Sequence, residues 1–167
     1  QTSGEIASLA DDHLAVPLVD RRPGMIPYRI VPESDLNGAG LVYFARYEAM
    51  MNYGERLFLT EHLERPFSAE LISYLSTEHR RAFFFANASP ADTVQVQVSA
   101  AVLPAGAFQA PPSGTPYRVP LKLLFRIDLY RSSDGVLMAS SLVRKSLNVP
   151  GSAKAVLAEV ERFQRRL

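Results

Sequence analysis

The chain has 167 residues, 47% of them hydrophobic, and 18 Lys+Arg against 17 Asp+Glu leave a formal charge of +1; that is the size of one globular domain with a real core. With no Cys and no Trp, a disulfide scaffold, a thiolate nucleophile and a Cys-ligated metal site are excluded. Near-neutral charge without a basic stripe argues against nucleic acid, and no apolar run approaches the roughly 20 residues of a membrane span, so a soluble, cytoplasmic protein is expected.

Residues 1–24 hold scattered apolar positions and close on Asp20-Arg21-Arg22-Pro23-Gly24, which predicts an N-terminal arm, short helix or linker ending in a turn. Gln1 to Asp12 lacks the basic-then-apolar order of a secretory signal, and Gln rather than Met at position 1 suggests a processed chain or one cut from a longer protein. A single domain is then expected over residues 25–167. Met25 to Val31 is extended, and Pro32 to Gly40 is a loop rich in turn formers. From about Tyr43 to Glu61 the apolar stripe Tyr47, Met50, Met51, Gly54, Leu57, Phe58 has helical spacing, with Glu48, Asn52 and Glu55 on another face, where Glu48 and Glu55 either face a neighbouring pocket or, more commonly for such positions, form the wet face.

Pro66 ends that helix, and Ser68 caps a shorter one through about Tyr74. Strands follow at Ser76 to Ala86 and at Thr93 to Val102, where Val94, Val96 and Val98 alternate with Gln95, Gln97 and Ser99. Leu103 to Pro120 has no period and is predicted to be an excursion. Leu121, Leu123, Phe125, Ile127 and Leu129 mark another strand, which Ser133-Asp134-Gly135 turns into Val136 to Val149. A closing helix carries Val156, Val160, Phe163 and Leu167 on one face. A long apolar helix ahead of a run of antiparallel strands needs that sheet to cover it, so the fold class is α+β in two layers, with the helix inside a curved sheet.

The stretch Asp35-Leu36-Asn37-Gly38-Ala39-Gly40-Leu41-Val42-Tyr43-Phe44-Ala45-Arg46-Tyr47 resembles the active-site loop and helix start of hot-dog-fold acyl-CoA thioesterases of the 4-hydroxybenzoyl-CoA type. That resemblance implies a hot-dog fold, a long central helix wrapped by a curved antiparallel sheet. In that type an aspartate stands where this chain has Asn37. A closer resemblance, carried by Asn37 to Phe44 with Arg81-Ala82-Phe83-Phe84-Phe85-Ala86-Asn87 and Arg144-Lys145-Ser146-Leu147, is to the second half of the leinamycin-type double-hot-dog acyltransferase/decarboxylases of polyketide pathways. It implies decarboxylation of a malonyl- or methylmalonyl-type thioester and acyl transfer to a carrier protein. By the same analogy the partners are acyl-CoA or an acyl carrier protein, and a homodimer or a pseudo-dimer with a second hot-dog half is expected. CoA or phosphopantetheine would enter as part of the substrate, with no separate cofactor.

The chemistry of the loop supplies candidates. An Asn amide has no basicity at neutral pH, so Asn37 cannot activate water, yet its N–H groups can steady an enolate or oxyanion. Gly38 and Gly40 allow close backbone approach, and the N–H groups near Val42 and Tyr43 are expected to polarise a thioester carbonyl. Asn37, Tyr43 and Asp35 are therefore the catalytic candidates, and Gly38, Gly40, Val42, Glu48 and Arg81 the substrate-binding ones. Each has a plain alternative: Asn37-Gly38 as a turn pair, Tyr43 as packing, Asp35 as a solvated loop carboxylate, Glu48 as wet helix face, and Arg80, Arg81, Arg144 and Lys145 as exposed strand charges. His13, His62 and His79 lack metal-ligand spacing, and no metal is expected. Two rivals stand beside decarboxylation: plain thioester hydrolysis, and a catalytically silent half that completes a dimer or docks a carrier protein.

Overall fold

Strict alternation in one half of the chain and a 3.6-residue period in the other resolve, among the described residues, into six strands around one long helix. The computed structural model describes residues 15–18, 25–103 and 117–164. In chain order the elements are β1 (Val16–Pro17), β2 (Ile26–Arg29), α1 (Pro32–Asp35), α2 (Phe44–Leu57) running into a π-turn (Phe58–His62), α3 (Ala69–Ser73), β3 (Leu75–Phe84), β4 (Thr93–Leu103), β5 (Tyr117–Arg131), β6 (Leu137–Pro150) and α4 (Lys154–Gln164).

The sheet order is β1-β4-β5-β6-β3, and β2 also pairs with β4. All pairings are antiparallel, as hairpin-linked strands allow. The β4–β5 register sets Val96 opposite Leu129 and Val98 opposite Ile127, so the alternating apolar residues of both strands share one face. That face supplies Val94, Val96, Leu123, Phe125, Ile127 and Leu129, all buried, against Tyr47, Met50, Met51 and Phe58 of the central helix. Burying a Val, Leu, Ile, Phe or Met side chain stabilises by about 1.5–3 kcal/mol, so this layer is the main source of stability.

Gly54 is where helix and sheet come closest. A Cβ built there would lie 2.3 Å from Val96 Cγ1, so only a residue without a side chain lets α2 sit this deep. Ser68 caps α3 as expected, accepting from Leu71 N–H at 3.0 Å, and Glu159 of α4 binds both the Ser68 N–H and its hydroxyl, at 2.9 and 2.7 Å.

Several expectations are corrected. Val16–Pro17, inside the predicted arm, pairs with Ala101 and Val102 of β4. Pro32–Asp35 is a helical turn within the predicted loop. Tyr117–Pro120, assigned to the excursion, already belongs to β5; residues 104–116 lie outside the described residues, as does Leu167. Glu55, for which the wet face is the commoner expectation, is buried, because a helix wrapped by a sheet covers more of its circumference than one stripe. Among the described residues no helix is long and apolar enough to cross a membrane.

Candidate functional site

The loop between α1 and α2 is closed by its own backbone. Asn37 N–H donates to Leu41 C=O at 2.8 Å, Gly40 N–H donates to Asn37 C=O at 3.0 Å, and Leu36 and Val42 form an antiparallel bridge. Gly40 has φ +72°, a left-handed conformation that glycine adopts without a Cβ clash. The Asn37 side chain is exposed, and its Oδ1 accepts from Ala39 N–H at 2.9 Å and Leu41 N–H at 3.1 Å. An amide whose oxygen is held in this way presents its NH2 group outward. Asn37 is thus both a turn residue and an oriented donor, and Gly38 is exposed beside it.

Asp35 is not the solvated carboxylate of the sequence reading. It is 0% exposed and accepts from Tyr28 Oη at 3.0 Å, Val31 N–H at 2.8 Å, Ser34 Oγ at 3.2 Å and Arg46 Nε at 2.8 Å. Burial by itself would push its pKa up, but the hydrogen bonds from Val31 N–H, Arg46, Tyr28 and Ser34 outweigh it and hold the carboxyl below its ordinary range. The same contacts act on Tyr28, whose phenol is pushed up by burial and then by the Asp35 carboxylate. A carboxylate so engaged is a clamp joining β2 to α2.

The N–H groups assigned to carbonyl polarisation are engaged too. Val42 N–H donates to Ala88 C=O at 3.3 Å and Tyr43 N–H to Asp35 C=O at 2.8 Å, while the Val42 side chain is buried. Tyr43 occupies the N-cap position without a side-chain cap, and Arg46 N–H turns back to Tyr43 C=O at 2.8 Å. The donors left at the tip of α2 are therefore the N–H groups of Phe44 and Ala45, two residues further on than the sequence suggests. The candidate donors on this stretch are then Asn37 Nδ2, these two N–H groups and the exposed Tyr43.

Around it lies an apolar rim: Leu41, Tyr43, Phe44, Phe84 and Phe85 are all exposed, Phe44 at 65%. Tyr43 packs edge-on against Phe44, and Tyr47 against Phe84. Tyr47 Oη donates to Asn87 Oδ1 at 2.8 Å, which fixes the segment after β3 beside the helix start. Burial pushes the Tyr47 phenol up, against a lowering hydrogen bond from the backbone near Ala88.

Glu48 and Arg81 part company. Glu48 is exposed and pairs with Arg80 Nη1 at 2.6 Å. Since Arg80 faces the helix, strand alternation sends Arg81 to the opposite face of the sheet, away from Asn37. Arg80 Nη2 also reaches Asn52 Oδ1 at 2.6 Å and lies 4.0 Å from Glu55 Oε2, and Lys145 Nζ hydrogen-bonds Glu55 Oε1. These residues line a cleft of about 480 Å³ between α2 and the β3–β6 side of the sheet. The sequence allows Glu48 and Glu55 a pocket, but their pairing with Arg80 and Lys145 is not legible there. The one signal of it was Lys145, which shares the inward parity of Val143 and Leu147 and so requires a carboxylate partner. Among the described residues no group of His, Asp and Glu is arranged to hold a metal ion.

No protein-family model matches the chain, and no curated protein is similar to it in sequence. Its structure is similar to that of a 1,4-dihydroxy-2-naphthoyl-CoA thioesterase from Synechocystis, with a TM-score of 0.52 and 20% identity over 77% of this chain and 84% of that one. A gentisyl-coenzyme A thioesterase matches with a TM-score of 0.52 and 21% identity over 80% and 98%. A DHNA-CoA thioesterase from Staphylococcus aureus matches with a TM-score of 0.52 and 6% identity over 86% and 93%. The closer resemblance to leinamycin-type decarboxylases finds no support in these likenesses. What they and the wrapped central helix establish together is the architecture: this chain has the hot-dog fold.

Proposed function

We propose that the chain processes acyl thioesters of CoA, with hydrolysis as the reaction its structural neighbours favour. The observation that carries this reading is the start of α2 without a side-chain cap, preceded by a short closed turn whose Asn37 holds its amide oxygen on Ala39 and Leu41 N–H and leaves its NH2 group as a donor. Such donors are suited to the oxygen of a thioester carbonyl, which gains negative charge when water attacks; one preorganised donor contributes about 2.7–4 kcal/mol to that step. Attack forms the C–O bond, collapse breaks the C–S bond, and the CoA thiolate takes up the proton the water released.

A second reading, decarboxylation of a malonyl-type thioester with acyl transfer to a carrier protein, keeps one specific support. The loop offers donors and no free carboxylate: position 37 is Asn, and Asp35 is fully engaged. Loss of CO2 needs an oxyanion stabiliser and no water-activating base. A second copy of the chain, or a linked hot-dog half, would complete either site. Among the described residues β3 forms one end of the sheet order with no strand on its outer edge, and it carries the exposed Phe84 next to the exposed Phe85, the pattern of a strand that pairs with another chain.

Incubation with acetyl-, octanoyl-, malonyl- and methylmalonyl-CoA, with free thiol, free acid and CO2 all measured, tests both. Free acid and CoA without CO2 mark hydrolysis; CO2 with a shortened acyl thioester marks the second reading. Asn37→Ala should lower either rate at least tenfold, about 1.4 kcal/mol. No turnover of any thioester by the dimeric protein refutes both and leaves a non-catalytic hot-dog partner.

A further inference from the structure

The turn that carries Asn37 has a second chemistry, directed at itself. Of the asparagines of the chain, Asn37, Asn52, Asn87 and Asn148, only Asn37 is followed by glycine, and both residues of that pair are exposed. The backbone nitrogen after an asparagine can close a cyclic imide on the side-chain carbon, and glycine, without a Cβ, hinders that closure least. Gly38 N–H is used by none of the hydrogen bonds that close the turn, which come from Asn37, Ala39, Gly40 and Leu41. A Cβ built at Gly38 would meet nothing within 4 Å, so no neighbour opposes the rotation that brings its nitrogen over Asn37 Cγ.

The donors on Asn37 Oδ1 favour the same step. Attack moves the C=O electrons onto Oδ1, where Ala39 N–H at 2.9 Å and Leu41 N–H at 3.1 Å already donate, and such donors steady the oxyanion of a tetrahedral intermediate. The bond from Gly38 N to Cγ forms, the Cγ–Nδ2 bond breaks, and the proton of Gly38 N–H leaves with the amide nitrogen as ammonia. Water then adds at Cγ of the imide, the bond from Cγ to Gly38 N opens, and that nitrogen takes back a proton. Position 37 is left as aspartate on an unaltered backbone. Opening at the other carbonyl would give isoaspartate, whose extra backbone carbon does not fit the closed turn. The two N–H groups suit the first product, because they hold a carboxylate in its charged form.

We infer that Asn37 is a self-processing site, converted to aspartate through imide closure by Gly38, and that the conversion gives the loop a base it otherwise lacks. The inference rests on the thioester reading above and adds a control over that same site. The amide has no basicity and Asp35 is fully engaged, so before conversion the loop supplies donors alone. A carboxylate at position 37 can take a proton from water, a contribution of about 10²–10⁴-fold, against a loss of roughly tenfold or more for the amide donor. The N–H groups of Phe44 and Ala45 are unaffected. Hydrolysis should therefore gain on conversion, while release of CO2 from a malonyl thioester should fall, because an enolate needs the donor and is repelled by the new charge.

The test ages the freshly purified protein at pH 8 and 37 °C and maps its peptides by mass spectrometry, with electron-transfer fragmentation to separate aspartate from isoaspartate. Position 37 should convert at least tenfold faster than Asn52, Asn87 or Asn148, with aspartate as the main product. Gly38→Ala, which the open space at that position admits, should slow the conversion at least tenfold. Hydrolysis of octanoyl-CoA should rise in step with the aspartate fraction, and fresh Asn37→Asp should hydrolyse it at least tenfold faster than the fresh unaltered protein. Conversion at position 37 no faster than at the other three asparagines, or isoaspartate as the main product, overturns the inference on mass alone, whatever becomes of the thioester reading. Conversion without a gain, in a protein that hydrolyses thioesters when fresh, overturns the control and leaves that reading intact. Turnover by Asn37→Asp alone supports the inference, and no turnover by either form overturns both.

Discussion

Replacing Gly54 by alanine should destabilise this protein, against the usual direction of that change in a helix. In an open helical position Gly→Ala stabilises by roughly 0.5–1 kcal/mol through backbone entropy. Here the new Cβ would meet Val96 Cγ1 at 2.3 Å and Val96 Cβ at 3.0 Å. Val96 cannot retreat easily, since it is fully buried and sits in β4 opposite both Ile26 and Leu129. Overpacking of this kind costs about 1–3 kcal/mol, so the net loss should be about 1–2 kcal/mol, or a Tm lower by roughly 2–8 °C for a chain of this size. Val96→Ala removes the obstructing methyl groups. In that background Gly54→Ala should be neutral or stabilising, giving a coupling of at least about 1 kcal/mol in a double-mutant cycle measured by urea unfolding. A stabilised single variant, or additive effects in the cycle, would refute the claim that α2 is held at this depth by the missing side chain.

The Asp35 clamp sets a second expectation. Because its carboxyl is held below the ordinary range in the folded state, it contributes stability that is present above its unfolded pKa of about 3.9 and lost as pH falls through the lower folded value. Asp35→Asn should therefore cost about 2 kcal/mol at pH 7, for hydrogen bonds to a charged group, and the gap from the unaltered protein should close below about pH 4. Unfolding midpoints across pH 2–7 measure this; a gap independent of pH would show the carboxylate to be uncharged or unimportant. At the sheet edge, Phe84→Asp should shift the chain from dimer to monomer in light scattering with little change in thermal stability, and an unchanged mass would remove the edge of β3 as the assembly surface.

Where neighbours in sequence decide the outcome, the sequence was a sufficient guide. The Val94-Val96-Val98 alternation, the Ser68 cap and the Tyr47-Met50-Met51-Gly54 stripe each depend on contacts that a period reveals, and all appear in the structure. Contacts between distant segments were not legible. Glu55 is buried because Lys145 meets it from 90 positions away, and Val42 N–H is engaged because Ala88 arrives beside it. Arg80 and Arg81 could not be told apart either. The run Arg80-Arg81-Ala82-Phe83-Phe84-Phe85 has no alternation, and only pairing with β6 assigns one arginine to each face. Asp35 was read as wet because its loop is polar, whereas Tyr28 and Arg46 close over it from opposite flanks.

That closure has a consequence for how this loop can be transplanted or remodelled. The turn bearing Asn37 is short and exposed, yet both its ends are tied to one buried anion, so its shape is dictated by the strand before it and the helix after it. The segment that behaves as one unit runs from Tyr28 to Arg46. Cutting inside those limits would carry away the visible residues and leave behind what keeps them aimed.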